Sequence, residues 1–340
     1  MKKPKYYIGL DVHKERTTYV VRDKIGNILS EGETATLYHE LFPRLKSYLT
    51  QAVIGLEAST SYYTLYQTFL KQGYTIQVAN TIQLRQLITK NDRLDARRLA
   101  EMLRLGTFPR SYIPDEHIQQ LRSLIQIRHS QMEEKVRCNN RIQAFLDRNG
   151  VPMPPYKAFS KKWRYALMQH MGSGKVSIEL RHAYDHYTFL EKKQEQIEQE
   201  IQGLTQKHWA NEYNLLQSIT GIGPVIACYA IAHILPIQRF SSNKKLRRYA
   251  GVVPTCKESG NTRSPGHIPK TSSRQQLRWA LIQAANTIGK TNTNLGRYYR
   301  KKKKQKKNAG IAKVAVASSL TDIIYKVLTT KQPYTPHIKC

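Results

Sequence analysis

The chain has 340 residues, enough for two domains with separate cores. Its 55 lysines and arginines outnumber 24 acids, a formal charge of +31 with a pI near 10.0. A surplus this large repels itself in a folded chain, and a polyanion relieves it, because each cation that pairs with a phosphate also releases a condensed counterion. The charge is also unevenly placed: twenty cations and one acid, Glu258, fall between Arg239 and Lys313. The basic start runs into Tyr7-Ile8-Gly9-Leu10-Asp11, an apolar stretch too short for a signal peptide. The longest mostly apolar run, Pro224 to Ile237, contains His233 and falls short of a membrane span. Cys138, Cys228, Cys256 and Cys340 are scattered, with no C-x-x-C pair; they fit a reducing cytoplasm and give no zinc signature.

The first hundred or so residues alternate strand and helix signals. Tyr6–Val12, Thr17–Arg22 and Ile28–Glu33 read as a three-strand meander, the last two divided by a Lys24-Ile25-Gly26-Asn27 turn. A helix is predicted from Tyr38 to Leu49, a buried strand from Ala52 to Leu56, a helix from Tyr62 to Leu70 and a strand from Thr75 to Ala79. Asp92 to Leu105 reads as a helix with Leu94, Leu99, Met102 and Leu103 on its apolar face. The order βββαβαβα is that of a ribonuclease-H-like α/β fold, here residues 1–112.

Residues 113–210 read as a helical coiled-coil and linker region. From His117 to Leu146 the apolar positions recur mostly at three- and four-residue steps. From Leu180 to Leu204 the series Leu180, Ala183, Tyr187, Leu190, Gln194, Ile197, Ile201, Leu204 steps three-four throughout, a heptad seam with one polar residue. Gly150-Val151-Pro152-Met153-Pro154-Pro155 breaks the helices between them. The seam suits self-association to a dimer or tetramer; the alternative is an antiparallel pair within one chain, because a heptad seam does not count strands. Residues 211–340 read as a mainly α-helical domain closing with a helix from Ile311 to Leu328.

Asp11 ends the first strand and Glu57 the fourth. Asp92 and Asp95 stand three apart at the start of the domain's last helix, on one face of it. In a ribonuclease-H-like sheet the first and fourth strands are neighbours, and their ends meet the start of that helix. Four carboxylates gathered there repel unless cations resolve them, and an all-oxygen set selects Mg²⁺ or Mn²⁺. Two such ions suit phosphoryl chemistry. Taken singly each acid has a plainer role: Asp92 as an N-cap, Asp95 as a first-turn acid, Asp11 as a strand end. Lys90, Arg93, Arg97 and Arg98 nearby suit phosphate contact or neutralisation of the acids.

In the C-terminal half, Ile219-Thr220-Gly221-Ile222-Gly223 has the h-x-G-h-G form of a helix-hairpin-helix turn. Gly221 and Gly223 leave backbone N–H groups open to a phosphate, although a glycine turn between two core helices reads the same way. Lys244, Lys245, Arg247 and Arg248 cluster downstream. Tyr249-Ala250-Gly251-Val252-Val253-Pro254 then leads into a polar loop, Thr255–Ser273, that contains Ser259, Arg263, His267 and Lys270. Serines in such loops are usually turn formers. The run Lys301, Lys302, Lys303, Lys304, Lys306, Lys307 follows Tyr298 and Tyr299; it is either a solvated tail or a track for a phosphate backbone with bases stacked on the rings.

Together these blocks resemble the DEDD transposases of the IS110 group of bacterial insertion sequences, which includes the Piv DNA invertases. The likeness rests on Tyr7-Ile8-Gly9-Leu10-Asp11, Leu56-Glu57-Ala58-Ser59, Lys90-Asn91-Asp92-Arg93-Leu94-Asp95-Ala96-Arg97, Ile219-Thr220-Gly221-Ile222-Gly223, and Gly251-Val252-Val253-Pro254 with Glu258-Ser259-Gly260. It implies a RuvC-like domain whose metal-holding acids are Asp11, Glu57, Asp92 and Asp95, and a C-terminal transposase domain with Ser259 as nucleophile. It implies metal-dependent cleavage and rejoining of DNA, a tetramer built from dimers through the coiled coil, and a structured bridge RNA that selects donor and target DNA. The expected setting is the bacterial cytoplasm, at the nucleoid during the reaction, with no membrane partner. After Ser259 the sequence Asn261-Thr262-Arg263-Ser264-Pro265-Gly266 departs from the family's usual wording, which leaves the roles of Arg263 and His267 open. The residues also admit a RuvC-like structure-specific nuclease that uses the four acids alone, or a non-catalytic nucleic-acid-binding architectural protein.

Overall fold

The computed structural model describes residues 4–59, 61–87, 96–152, 154–172, 178–253, 257–259, 262–264 and 275–335. The chain divides into two compact units, Met1–Ile113 and Pro114–Cys340.

The first unit is built on strands β1 (Tyr6–Val12), β2 (Arg16–Arg22), β3 (Ile28–Ala35), β4 (Ala52–Glu57) and β5 (Thr75–Ala79). They form one five-stranded sheet in the order β3-β2-β1-β4-β5. β1, β2 and β3 pair antiparallel, whereas β4 lies parallel to both β1 and β5. The β2–β3 turn closes because Asp23 Oδ1 accepts the backbone N–H groups of Ile25, Gly26 and Asn27 at 2.9, 2.7 and 2.9 Å, with Gly26 at φ +106°.

Successive strand residues face opposite sides. Ile8, Leu10 and Val12 of β1, with Ile54 and Leu56 of β4, pack under helices α1 (Tyr38–Leu49) and α2 (Tyr62–Lys71) through Leu41, Leu45, Leu49, Leu65 and Phe69. On the opposite face, Tyr7 and Val53 pack with Leu99 and Leu103 of α4 (Ala96–Arg104) and with Leu84 of α3 (Thr81–Leu87). The five strands follow the sequence reading to within two residues at their ends. The expected Asp92–Leu105 helix is seen from Ala96 onward, and Asp92 and Asp95 lie outside the described residues.

The second unit begins with α5 (Glu116–Arg148), whose N-cap Asp115 accepts from Ile118 N at 2.8 Å. It continues through α6 (Lys161–Gly172) and α7 (Ile178–Gln217). α5 and α7 run antiparallel: His117 stacks on His208, Arg128 pairs with Glu198, Lys135 with Glu191, and Cys138 donates to the Ala183 carbonyl. The heptad seam of α7 is therefore filled by its own chain. Leu180, Tyr187 and Leu190 bury against Cys138, Ile142 and Leu146, and Ile197 and Ile201 share a core with Ile118, Leu121 and Ile125. These contacts form the antiparallel pair within one chain, the alternative that the heptad seam left open. Burying a large apolar side chain stabilises by ~1.5–3 kcal/mol, so a hairpin with this many of them needs no second chain to hold it.

α8 (Pro224–Ile234) is buried on all sides from Ala227 to Ile234, which is why its sequence lacks helical amphipathicity. Its last carbonyls are met by arginines: Arg122 Nε donates to Ala232 O at 2.7 Å, and Arg239 donates to the oxygens of His233 and Ile234. It packs against α5, α7 and α10 (Gln275–Ile288), and α12 (Ala309–Thr330) packs in turn on α7, α10, α9 (Asn243–Ala250) and α11 (Asn294–Lys306). Inside the loop expected to be irregular, β6 (Lys257–Ser259) and β7 (Thr262–Ser264) form a small antiparallel pair. No described helix is long and apolar enough to cross a membrane.

Candidate functional site

The strand-end acids are brought together by sheet register. Leu10 of β1 stands opposite Leu56 of β4, so the next residues outward on the two parallel strands are Asp11 and Glu57. Both are partly buried. By the alternation of the strands they share a face with Gly9 and Gly55, the face on which α4 lies. Asp11 Oδ2 is 3.3 Å from His13 Nε2, a side chain two residues on along the same face. Sequence reasoning missed His13, and the i, i+2 rule is the signal that finds it.

The tightest constraint at this end of the sheet is Gly9. A Cβ built on it would lie 2.0 Å from the carbonyl oxygen of Ala96 and 2.6 Å from the nitrogen of Ala100. Those are backbone atoms and have nowhere to rotate. Gly9 is thus what lets the first turn of α4 sit directly on β1, two residues from Asp11. At Gly55 the equivalent Cβ meets only side-chain atoms of Phe108 and Leu103, at 2.7 and 2.8 Å.

Of the cations placed near the acids by sequence, Arg97 forms a two-pronged pair with Glu31 of β3, at 2.9 and 2.8 Å. These hydrogen bonds hold the Glu31 carboxyl below the usual carboxylate range. Arg97 therefore ties α4 to the sheet edge. Lys90 and Arg93 lie outside the described residues.

In the second unit the two glycines of the h-x-G-h-G turn do different work. Gly221 has φ +90°, and a Cβ there would be 2.5 Å from Ile288 Cγ1 and 3.1 Å from Ala284 O. It is required by packing against α10. Gly223 caps α8 with φ −89° and has open space where a Cβ would be. Lys244, Lys245 and Arg248 are exposed on α9, while Arg247 lies 3.3 Å from Asp322 of α12, which also accepts from Asn243 at 2.9 Å. The lysine run is the end of a helix rather than a tail. Lys301, Lys303 and Lys304 are exposed on α11, and Lys302 Nζ sits 5.6 Å from the Tyr298 ring centre. Ser259 ends β6 opposite Thr262, and Glu258 pairs in register with Arg263. His267 and Lys270 lie outside the described residues.

Sequence reasoning also missed a buried polar network between α5, α7 and α8. Arg128, only 6% exposed, donates to Glu198 Oε1 at 2.8 and 2.6 Å and to the Tyr229 hydroxyl at 3.1 Å. Its guanidinium also faces the Trp279 ring. Gln194, the polar residue of the heptad seam, donates to the same Glu198 oxygen at 3.0 Å.

A mixed sheet in this order, with acids at two neighbouring strand ends and a basic helical unit following, is compatible with the RuvC-like class of nucleic-acid enzymes. Residues 8–150 match the family model of DEDD transposases of the IS110 type, described as "Transposase". Residues 213–300 match the model described as "Transposase IS116/IS110/IS902 family". The chain belongs to this family of insertion-sequence transposases. Among its relatives, the transposase for insertion sequence element IS1111A of Coxiella burnetii is 24% identical over 96% of this chain and 90% of its own length. The transposase for insertion sequence element IS1328 of Yersinia enterocolitica is 23% identical over 82% of each chain. The putative transposase y4qE of Sinorhizobium fredii is 24% identical over 83% of this chain and 71% of its own length.

Proposed function

We propose that this transposase is a recombinase that cleaves and rejoins DNA, with a divalent ion at the acids of the first unit and Ser259 of the second unit as nucleophile. The observation that carries the reading is the adjacency of Asp11 and Glu57 on one face of the sheet, with the start of α4 seated on Gly9 beside them. Among the described residues no three His, Cys, Asp or Glu side chains gather into a metal site. Two carboxylates on neighbouring strands are nevertheless a fitting half of one, since hard oxygen donors suit Mg²⁺ or Mn²⁺. Asp92 and Asp95 supply the other half in this reading; Asp95 is bonded directly to Ala96, the residue that covers Gly9. A bound ion offers electrophilic help to a phosphate oxygen and lowers the pKa of a coordinated hydroxyl.

The residues' own chemistry balances without an external energy source. The Ser259 hydroxyl attacks phosphorus and forms a phosphoserine ester, one P–O bond of the strand breaks, and the departing oxygen takes up a proton. A hydroxyl of the new strand attacks that ester, restores a phosphodiester, and returns the proton to serine. Lys244, Lys245, Arg248 and the α11 lysines provide an exposed basic surface for the DNA backbone. A structured bridge RNA as guide, and assembly to a dimer or tetramer, complete the proposal.

The test is cleavage of an element-end DNA by Asp11→Asn and by wild type in chelator. Both should lose cleavage while binding remains. Undiminished cleavage in either overturns the metal reading.

A further inference from the structure

The tip of the α5–α7 hairpin carries a surface that the acids and the C-terminal basic helices do not use. α6 is short and turns one narrow face inward: Trp163 and Leu167 are each 1% exposed and pack with Leu146, Leu180 and Tyr187. At 100° per residue, Lys161, Tyr165 and Met168 lie on the opposite side. Tyr165 is 66% exposed and Met168 is 55% exposed. Just before the helix, Tyr156 is 47% exposed and Lys157 is exposed. Large rings left in water on a short helix are not explained by the core beneath them.

Two further observations give the surface its character. The first is charge. From Pro154 to Lys175 the sequence contains no acid, and Arg164, which lies on the flank of α6, is engaged by Glu191. Lys157, Lys161 and Lys162 are left on the exterior beside Tyr156 and Tyr165. The second is a fixed backbone. Phe159 holds φ +61°, a left-handed conformation that a side-chain-bearing residue rarely adopts. It is kept there because its ring packs 4.5 Å from Trp163 and 4.9 Å from Tyr187, centre to centre. Lys157 O then accepts from Ser160 N at 3.0 Å, and Ser160 Oγ from Trp163 N at 3.3 Å, so the turn bearing Tyr156 and Lys157 is anchored to the start of α6.

Exposed aromatic faces interleaved with lysines and without acids match one partner chemistry best: a polyanion that also presents flat rings. A duplex hides its base faces, whereas an unpaired strand offers them. We infer that the outer face of α6 and the turn before it bind an unpaired nucleic-acid strand, with bases on Tyr156 and Tyr165 and phosphates on Lys157, Lys161 and Lys162. The inference rests on the reading that this chain works on nucleic acid, and it adds a contact site remote in sequence from the residues proposed for the chemistry.

The experiment uses the full chain and fluorescence anisotropy with labelled oligo-dT, oligo-rU and a mixed-sequence DNA duplex. Tyr156→Ala with Tyr165→Ala should weaken single-strand binding by about tenfold per ring and leave duplex affinity within about twofold, since base–aromatic stacking is lost only from the unpaired strand. Tyr165→Phe should bind as wild type, because the ring is kept. Lys157, Lys161 and Lys162 changed together to Gln should flatten the single-strand salt slope by about two units, at roughly 0.7 per lost phosphate. The tighter of the oligo-dT and oligo-rU arms names the strand as DNA or RNA. Single-strand affinity unchanged in the double tyrosine variant, with wild type binding normally, overturns the α6 assignment alone. Wild type binding neither strand nor duplex overturns the nucleic-acid reading beneath it. A changed oligomeric mass at unchanged strand affinity assigns this face to a second copy of the chain and overturns the inference.

Discussion

Gly9→Ala should be one of the most damaging single-methyl changes in the first unit. The added Cβ falls 2.0 Å from Ala96 O and 2.6 Å from Ala100 N, where ordinary contact begins at 3.4 Å. Both are backbone atoms of α4, so no rotamer relieves the clash, and the helix must retreat by about 1.4 Å. Overpacking of this kind costs ~1–3 kcal/mol. For a unit the size of Met1–Ile113 each kcal/mol lowers the melting point by roughly 4 °C, so its transition should fall by about 4–12 °C. The same retreat draws the start of α4 away from Asp11, so cleavage should fall further than the fraction unfolded explains. The assay is thermal unfolding by circular dichroism beside metal-dependent cleavage at a temperature where both proteins are folded. Gly203→Ala is the control: this exposed glycine of α7 has nothing within 4 Å of its added Cβ, so alanine should stabilise by ~1 kcal/mol. A Gly9→Ala protein that melts and cleaves like wild type would refute the packing of α4 on β1.

Other outcomes follow from the second unit. Gly221→Ala should destabilise by ~1–3 kcal/mol through its positive φ and the contact with Ile288, whereas Gly223→Ala should stay within ~0.5 kcal/mol in denaturant unfolding. If Gly223→Ala also leaves DNA affinity unchanged, the turn holds no phosphate. Leu190→Asp with Ile197→Asp should unfold the α5–α7 hairpin, at several kcal/mol for unpaired buried charge; a double variant that melts like wild type but has a smaller mass in solution would return the seam to an intersubunit role. Arg128→Met strands Glu198 and should cost ~3–5 kcal/mol, with Glu198→Met as a second change recovering most of it. A single Arg128→Met variant with wild-type stability would show that the network is solvated.

Much of this fold was legible because short β-branched runs between Gly and Asn turns have few other ways to bury one face. β1 to β5 and the acids at two of their ends were readable on that ground. The α5 and α7 periodicities were equally plain, but their partner was not, since the same heptad seam serves one chain or two. What decided it was length: α5 and α7 are long enough, and close enough in sequence, to satisfy each other. The role of Gly9 was illegible because it depends on a helix nearly ninety residues away. α6 escaped notice because, among its described side chains, it buries only Trp163 and Leu167, too few positions to make a period. The pairing of β6 with β7 was hidden in a polar loop that has no alternation of apolar residues. Asp92 and Asp95, singled out by the sequence, lie outside the described residues.

The covalent joining of Ser259 to DNA, in a reaction that needs Asp11 and Glu57, is the step on which the proposed recombination rests. Its most direct measurement is to quench the full-length protein with denaturant during reaction on labelled element-end DNA, digest it, and identify the DNA-bearing peptide by mass. One adduct, on Ser259, is expected, and it should be absent in Ser259→Ala and in Asp11→Asn. Recombination by Ser259→Ala, or an adduct on another residue, would contradict it.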